Sequence, residues 1–323
     1  MIKKGFFKTT QERELYYEYE TLEETTNKST SDLIVFLNGL SDSIESWSHI
    51  KTYFKTPHSF LFIDMIGQGK SLEKEEALTD VFFDYRISAE QQADGIKEII
   101  DFLEIKKSFH LVGFSYGGGV AIRFASLFPY KIKKLILFLP YIIRLDLAFP
   151  LQRLWAGQIN FFKNVTPLRP SMMVFDQAYQ KMMREYMNYR FSNKIPDGHK
   201  RLISIQLTEG IMPFNAFHFF QSLPNHAVHL ITVDHDTLVP KSLYQETWDR
   251  LPEEKKCTWL RIEDGEHLIF DQSPLFCVSW IESLLSHRNP SKPKRFTANS
   301  YKMEIFEIDE ANSFNKKAYK VSI

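Results

Sequence analysis

Leu111 to Gly119 reads L-V-G-F-S-Y-G-G-G, and within it Gly113-Phe114-Ser115-Tyr116-Gly117 is a G-x-S-x-G motif. The chemistry this suits is nucleophilic attack by a serine hydroxyl. A serine on a sharp, strained strand-to-helix turn projects its oxygen above a sheet, and the turn leaves no room for side chains two residues to either side. The helix that opens beneath it adds unpaired N–H groups and the positive end of a dipole, so the Tyr116 N–H would face a developing oxyanion. Such a hydroxyl needs a base. Of the ten histidines, His267 stands out, in E-D-G-E-H-L-I-F between a strand and the last helical pattern. A group oriented behind that base would be an acid, and V-D-H-D-T-L-V-P supplies two candidates, Asp234 and Asp236, with His235 between them as a surface bystander.

The surrounding pattern predicts elements able to position these groups. Continuous apolar runs at Leu33–Leu37, Ser59–Ile63, Phe109–Val112 and Leu135–Leu139 predict strands buried on both faces. Helical spacing predicts Ile44–Phe54, Ser88–Leu103 and Tyr116–Leu127 between them. The alternation resumes with strand Val228–Val233, helix Leu243–Leu251, strand Thr258–Ile262 and helix Pro274–Leu285, while Lys4–Thr9 and Leu15–Glu20 predict a leading hairpin. Strands alternating with helices make a parallel sheet covered on both faces, and its sites form at the strands' carboxyl edge. Tyr141 to Asn225 breaks the rhythm: it reads as helices without a convincing strand, and holds six of the nine methionines and nine of the 28 phenylalanines. N-P-S-K-P-K-R at 289–295 reads as a linker, followed by one strand-like stretch, Tyr301–Ile308, taken as a docked edge or a loose tail.

On these residues the chain resembles the α/β-hydrolases, in particular the capped single-domain type that contains many esterases and lipases. The likeness runs from about Gly5 to His287. It implies an α/β fold with a mostly parallel sheet of about eight strands, helices on both faces and an inserted all-helical cap. The core would be 1–140 with 226–287, the cap 141–225, and 288–323 a linker and tail. Members order their triad Ser…Asp…His, and the acid lies four residues before a proline. That selects Asp236 with Pro240, leaving Asp234 as a turn residue, and the glycine-then-histidine loop matches Gly265 and His267. The loop after Leu33–Leu37, N-G-L-S-D-S, is similar to the family's H-G-x loop with Asn38 in place of His, which implies the Leu40 N–H as the second oxyanion donor. The implied activity is carboxylic-ester hydrolysis through an acyl-enzyme. A thioesterase, a C–C hydrolase, a cofactor-free perhydrolase or a non-catalytic binding member would be alternatives. A serine nucleophile argues against the family's haloalkane and epoxide enzymes, which use an aspartate.

Composition narrows the rest. Of 323 residues, 40 are basic and 40 acidic, and 44 % are hydrophobic. This is an ordinary globular composition with no net field to draw nucleic acid. No apolar stretch reaches the roughly 20 residues a membrane span needs, and no apolar run follows the basic N-terminus as in a secretory signal. Cys257 and Cys277 read as core thiols in a reducing, cytoplasmic setting. Asp64–Ser71, D-M-I-G-Q-G-K-S, lacks the first glycine of a phosphate loop, and the resemblance implies a structural turn there. No motif calls for a metal or a nucleotide cofactor, and the expected partner is a small ester. The zero net charge hides an asymmetry: 141–225 carries ten basic and five acidic residues, and 287–323 carries eight and four. Scattered solvated charge is the simpler account, and contact of a basic, apolar cap with anionic lipid is the alternative.

Overall fold

The computed structural model describes residues 1–22, 32–40, 42–72, 87–143, 206, 207, 210, 211, 213–236, 238–308 and 316–319. Its centre is an 11-stranded sheet. The strands are β1 (Ile2–Lys8), β2 (Glu14–Glu20), β3 (Leu33–Leu37), β4 (Ser59–Asp64), β5 (Phe109–Phe114), β6 (Ile132–Phe138), β7 (Val228–His235), β8 (Lys256–Glu266), β9 (Lys294–Asn299), β10 (Glu304–Ile308) and β11 (Lys316–Tyr319). Their order is β1-β2-β4-β3-β5-β6-β7-β8-β9-β10-β11. From β4 through β9 every pairing is parallel. The pairings outside that block are antiparallel.

The described helices are α1 (Ile44–Trp47), α2 (Gly69–Leu72), α3 (Ala89–Phe102), α4 (Tyr116–Leu127), α5 (Lys241–Arg250), α6 (Ile269–Gln272) and α7 (Pro274–Ser286). Alternation along the strands sorts the core into two layers. Val35, Leu37, Leu61 and Leu111 pack under α3 and α4. Ile34, Phe36, Val112 and Ile136 pack under α1 and α7. Local signals set the ends. Ser88 caps α3 through a reciprocal box with Gln91: the Gln91 N–H donates to Ser88 Oγ at 3.2 Å and the Ser88 N–H to Gln91 Oε1 at 2.9 Å. Pro274 opens α7. At the other end of α7, Lys134, a buried lysine of β6, donates from Nζ to the carbonyls of Leu284 and His287.

Chain order reverses between β3 and β5, since β4 lies on the far side of β3. That is the crevice in which open α/β sheets hold their ligands. The segment expected as Ile44–Phe54 is one helical turn, α1, running into a 3-10 helix at Ser48–Tyr53.

Of the two readings of Tyr301–Ile308, the docked edge is the one observed, and the linker reading of 289–295 needs correcting at its end. Lys294 and Arg295 belong to β9, which adds to the β8 edge, and the chain returns as β10 and β11. An open edge offers unpaired main-chain groups to any extended segment, and Phe296, Ala298 and Ile305 supply buried apolar residues to hold it. The Trp280 ring meets Phe296 edge-on at 5.3 Å.

Most of the predicted helical cap falls outside the described residues, and with it the lipid reading of its charge. Its two ends are described, and they meet. Ile143 bridges Asn215, and the Ala216 N–H donates to the Ile142 carbonyl at 2.8 Å. A 3-10 helix, Ala216–Ser222, follows, with the Arg123 guanidinium of α4 4.6 Å over the Phe219 ring. No helix among the described residues is long and apolar enough to cross a membrane.

Candidate active site

Ser115 is the single residue between β5 and α4, with φ 50° and ψ −116°. Conformations of this kind cost a non-glycine residue on the order of 1–3 kcal/mol, and surrounding bonds must enforce them. Here the Ser115 N–H donates to the Phe138 carbonyl at 2.9 Å, and the Ser115 carbonyl accepts from Gly118 at 2.9 Å and Tyr141 at 2.8 Å. Two of the glycines are steric necessities. A Cβ on Gly113 would lie 2.7 Å from the Gly117 carbonyl oxygen and 2.8 Å from Ala121 Cβ. A Cβ on Gly117 would run into the main-chain oxygens of Leu37 and Asn38.

The base and acid arrive from β8 and β7. His267 Nε2 lies 3.0 Å from Ser115 Oγ. His267 Nδ1 lies 3.0 Å from both carboxylate oxygens of Asp236. An ionised carboxylate can only accept, so Nδ1 carries a proton and a neutral ring leaves Nε2 to accept from the serine hydroxyl. Both partners are shielded, with 10 % of the His267 side chain and 2 % of the Asp236 side chain exposed. Burial pushes the Asp236 carboxyl up, but the His267 ring and the N–H groups of Val239 and Leu238 outweigh it and hold the group below its ordinary value. Those two N–H groups donate to Oδ1 at 2.9 and 2.8 Å. The Phe114 ring lies against the imidazole, with centroids 5.5 Å apart.

The neighbours of the acid take other roles. His235 is exposed, as expected. Asp234 is not a turn residue but lies within β7, where Lys241 Nζ at 2.9 Å and Arg261 Nε at 3.4 Å neutralise it.

The Tyr116 N–H is the first of α4, one of those a helix cannot pair internally. Gly39 brings the β3 loop to the nucleophile: a Cβ there would touch the Phe114 ring at 3.1 Å and lie 3.7 Å from Ser115 Cβ. Leu40 follows it, half-buried against the core. The side-chain amide of Asn38, which replaces the expected histidine, is buried and has no hydrogen-bond partner among the described residues. Two carboxylates brace the loop instead. Asp42 accepts from Trp47 Nε1 at 2.6 Å, and Asp64 accepts from the Ile44 N–H at 2.7 Å and the Lys70 N–H at 2.9 Å. Asp64–Ser71 is thereby a structural turn, with Gly69 at φ 48° pressed against the Asp64 carboxylate.

Two contributors escaped the sequence reading. The Tyr244 hydroxyl donates to Asp236 Oδ2 at 2.9 Å. Gln92 Nε2 donates to the Tyr116 hydroxyl at 3.2 Å and to the Ile66 carbonyl at 2.9 Å. Each sits on the buried side of a helix, where a polar side chain facing the core is the one signal that could have flagged it. Among the described residues, no three His, Cys, Asp or Glu side chains are grouped to hold a metal ion.

Residues 32–274 match the family described as alpha/beta hydrolase fold. The chain belongs to this family. Over 104 residues it is 31 % identical to an uncharacterised protein of Mycobacterium tuberculosis, a match covering 32 % of this chain and 28 % of that one. The matched stretch spans well under half the length of the curated relatives. Among solved structures, an alpha/beta hydrolase enzyme from a Medee basin deep-sea metagenome library superposes with a TM-score of 0.65 at 20 % identity, covering 89 % of this chain and 99 % of that one. The enol-lactonase from Burkholderia xenovorans gives 0.61 at 14 % identity, covering 88 % and 100 %. At such identities these likenesses speak for the fold alone. Over 122 residues the chain is 27 % identical to a putative esterase/lipase of Haemophilus influenzae, a match covering 38 % of each.

Proposed function

We propose that this alpha/beta hydrolase cleaves carboxylic esters with an apolar acyl or alcohol group, using Ser115, His267 and Asp236 as a catalytic triad. The observation that carries the reading is the unbroken hydrogen-bond chain from Ser115 Oγ through the imidazole to Asp236. His267 takes the hydroxyl proton as Oγ attacks the carbonyl carbon, and Asp236 stabilises the resulting imidazolium. The Tyr116 and Leu40 N–H groups receive the oxyanion. His267 then protonates the departing alcohol, and water, deprotonated by the same ring, releases the acid from Ser115. The apolar preference rests on the nine phenylalanines and six methionines of 141–225.

A p-nitrophenyl ester series of increasing acyl length tests this. The wild type should turn over and bind a fluorophosphonate at Ser115, while Ser115→Ala should stay folded and lose both. A folded wild type that neither turns over any ester nor takes the probe would sink the proposal.

A further inference from the structure

The family match ends at residue 274, yet the strands beyond it reach back to the loop that carries His267. The turn between β9 and β10 is Ser300–Met303. Its Ser300 N–H donates to Asp264 Oδ1 at 2.8 Å, and Ser300 Oγ and the Tyr301 N–H donate to Asp264 Oδ2 at 3.0 and 3.1 Å. Ser300 Oγ also lies 2.9 Å from Ser273 Oγ, and both serines are buried. Gln272 closes the loop on itself. Its Nε2 donates to the Asp264 carbonyl at 2.8 Å and to the Tyr301 hydroxyl at 3.1 Å, while its Oε1 accepts from the Glu266 N–H at 2.9 Å. Glu266 is the residue before His267. Burial pushes the Asp264 carboxyl up, and the Ser300 and Tyr301 donors outweigh it and hold it below its ordinary value. On the inner side the loop has no slack, since a Cβ on Gly265 would lie 2.5 Å from Val233 Cγ1.

The loop is therefore fastened at both flanks of His267: at Asp264 by main-chain donors of the appended strands, and at Glu266 and Gln272 by a side-chain amide that itself touches Tyr301. An imidazole that must stay within about 0.5 Å of productive geometry depends on support of this kind. We propose that the β9–β10 hairpin is a positioning device for His267, acting through Asp264 and Gln272. The proposal rests on the triad reading above. It gives the C-terminal segment a part in catalysis without contact with substrate.

The test uses the full-length protein and three variants, Gln272→Ala, Asp264→Ala and Ser300→Ala, with Lys302→Ala on the same turn as control. Gln272→Ala leaves β9 and its pairing untouched, so it reads the device even where Asp264→Ala does not fold. Expected for Gln272→Ala and Asp264→Ala is a fall in kcat of between about tenfold and about a hundredfold, the scale of a 1 Å misplacement. KM should stay within about twofold and fluorophosphonate labelling of Ser115 should slow by the same factor as kcat. Ser300→Ala, which keeps the main-chain donors, should lose less, and Lys302→Ala nothing. A Gln272→Ala protein that is folded and keeps wild-type kcat and labelling overturns the proposal. Proton spectra separate its failure from that of the triad reading. The downfield His267 Nδ1–H resonance should be sharp in the wild type and broadened in Gln272→Ala, whatever the activity. An unchanged resonance in the variant overturns the device on its own terms.

Discussion

Replacing Tyr244 by phenylalanine removes one oxygen and isolates one contact. The Tyr244 hydroxyl is buried and donates to Asp236 Oδ2 at 2.9 Å. Burial, and then the Asp236 charge beside it, push its ionisation well above the ordinary range, so it remains a donor. A hydrogen bond to a charged group contributes roughly 1.5–3 kcal/mol. Asp236 keeps its bonds to Leu238, Val239 and His267, so the loss should lie near the lower end, about 1.5 kcal/mol. Over 323 residues, with an unfolding entropy of about 2.1 cal/mol/K per residue, the melting temperature should fall by about 2 °C. The catalytic consequence has a definite sign. A carboxylate with one donor fewer concentrates more charge on the imidazole and favours its protonated form. If half the lost energy is felt there, the acidic limb of the kcat/KM profile moves up by about 0.5 pH unit. Urea or thermal unfolding and a pH–rate series on a p-nitrophenyl ester measure both. A Tyr244→Phe protein with the wild-type midpoint and the wild-type acidic limb would refute the idea that this phenol shares the Asp236 charge.

Other outcomes follow from the packing. Gly117→Ala sets a methyl against the fixed main-chain oxygens of Leu37 and Asn38, so overpacking of about 1–3 kcal/mol or more should appear as a lowered unfolding midpoint; an unchanged midpoint would contradict the close approach. Asp64 is buried, which pushes its carboxyl up to about 7, against the pull of the Lys70 and Ile44 N–H groups. Folding therefore favours its protonated form, and its contribution is full below about pH 4 and is lost as pH rises through 7. Urea unfolding between those limits should show a pH slope that Asp64→Asn flattens, and parallel curves would exclude it. Burial likewise pushes the Cys257 thiol up to about 12 and raises Cys277, and both are free. A thiol reagent at pH 8 should react with them quickly only after denaturation, and rapid labelling of the native protein would argue against a closed core.

What could be read along the chain were the elements whose signals are local. The buried run Leu33–Leu37 and the helix Tyr116–Leu127 fall on their observed bounds, because uninterrupted apolar residues after a turn specify a strand buried on both faces. The G-x-S-x-G turn was equally legible through Gly113, whose clashes with Gly117, Gly118 and Ala121 arise within the same strand–turn–helix unit, whereas Gly117 answers the main-chain oxygens of Leu37 and Asn38 on another strand. The 289–295 segment misled for a reason of the same kind. Its prolines and charges say linker locally, and only the unpaired edge of β8 makes a strand of Lys294–Asn299.

Residue types and spacing thus determined on their own a parallel sheet, a serine on a strained turn, a histidine that could serve it and two candidate acids, Asp234 and Asp236, between which the family resemblance chose. Tertiary structure alone decided that His267 meets Ser115 across 152 positions of chain, that Tyr244 donates to Asp236 and Gln92 to the Tyr116 hydroxyl, and that the C-terminal strands bond to the loop carrying His267. Backbone turns are specified by neighbours in sequence. Hydrogen bonds between distant side chains exist only once the sheet order has set its strands side by side.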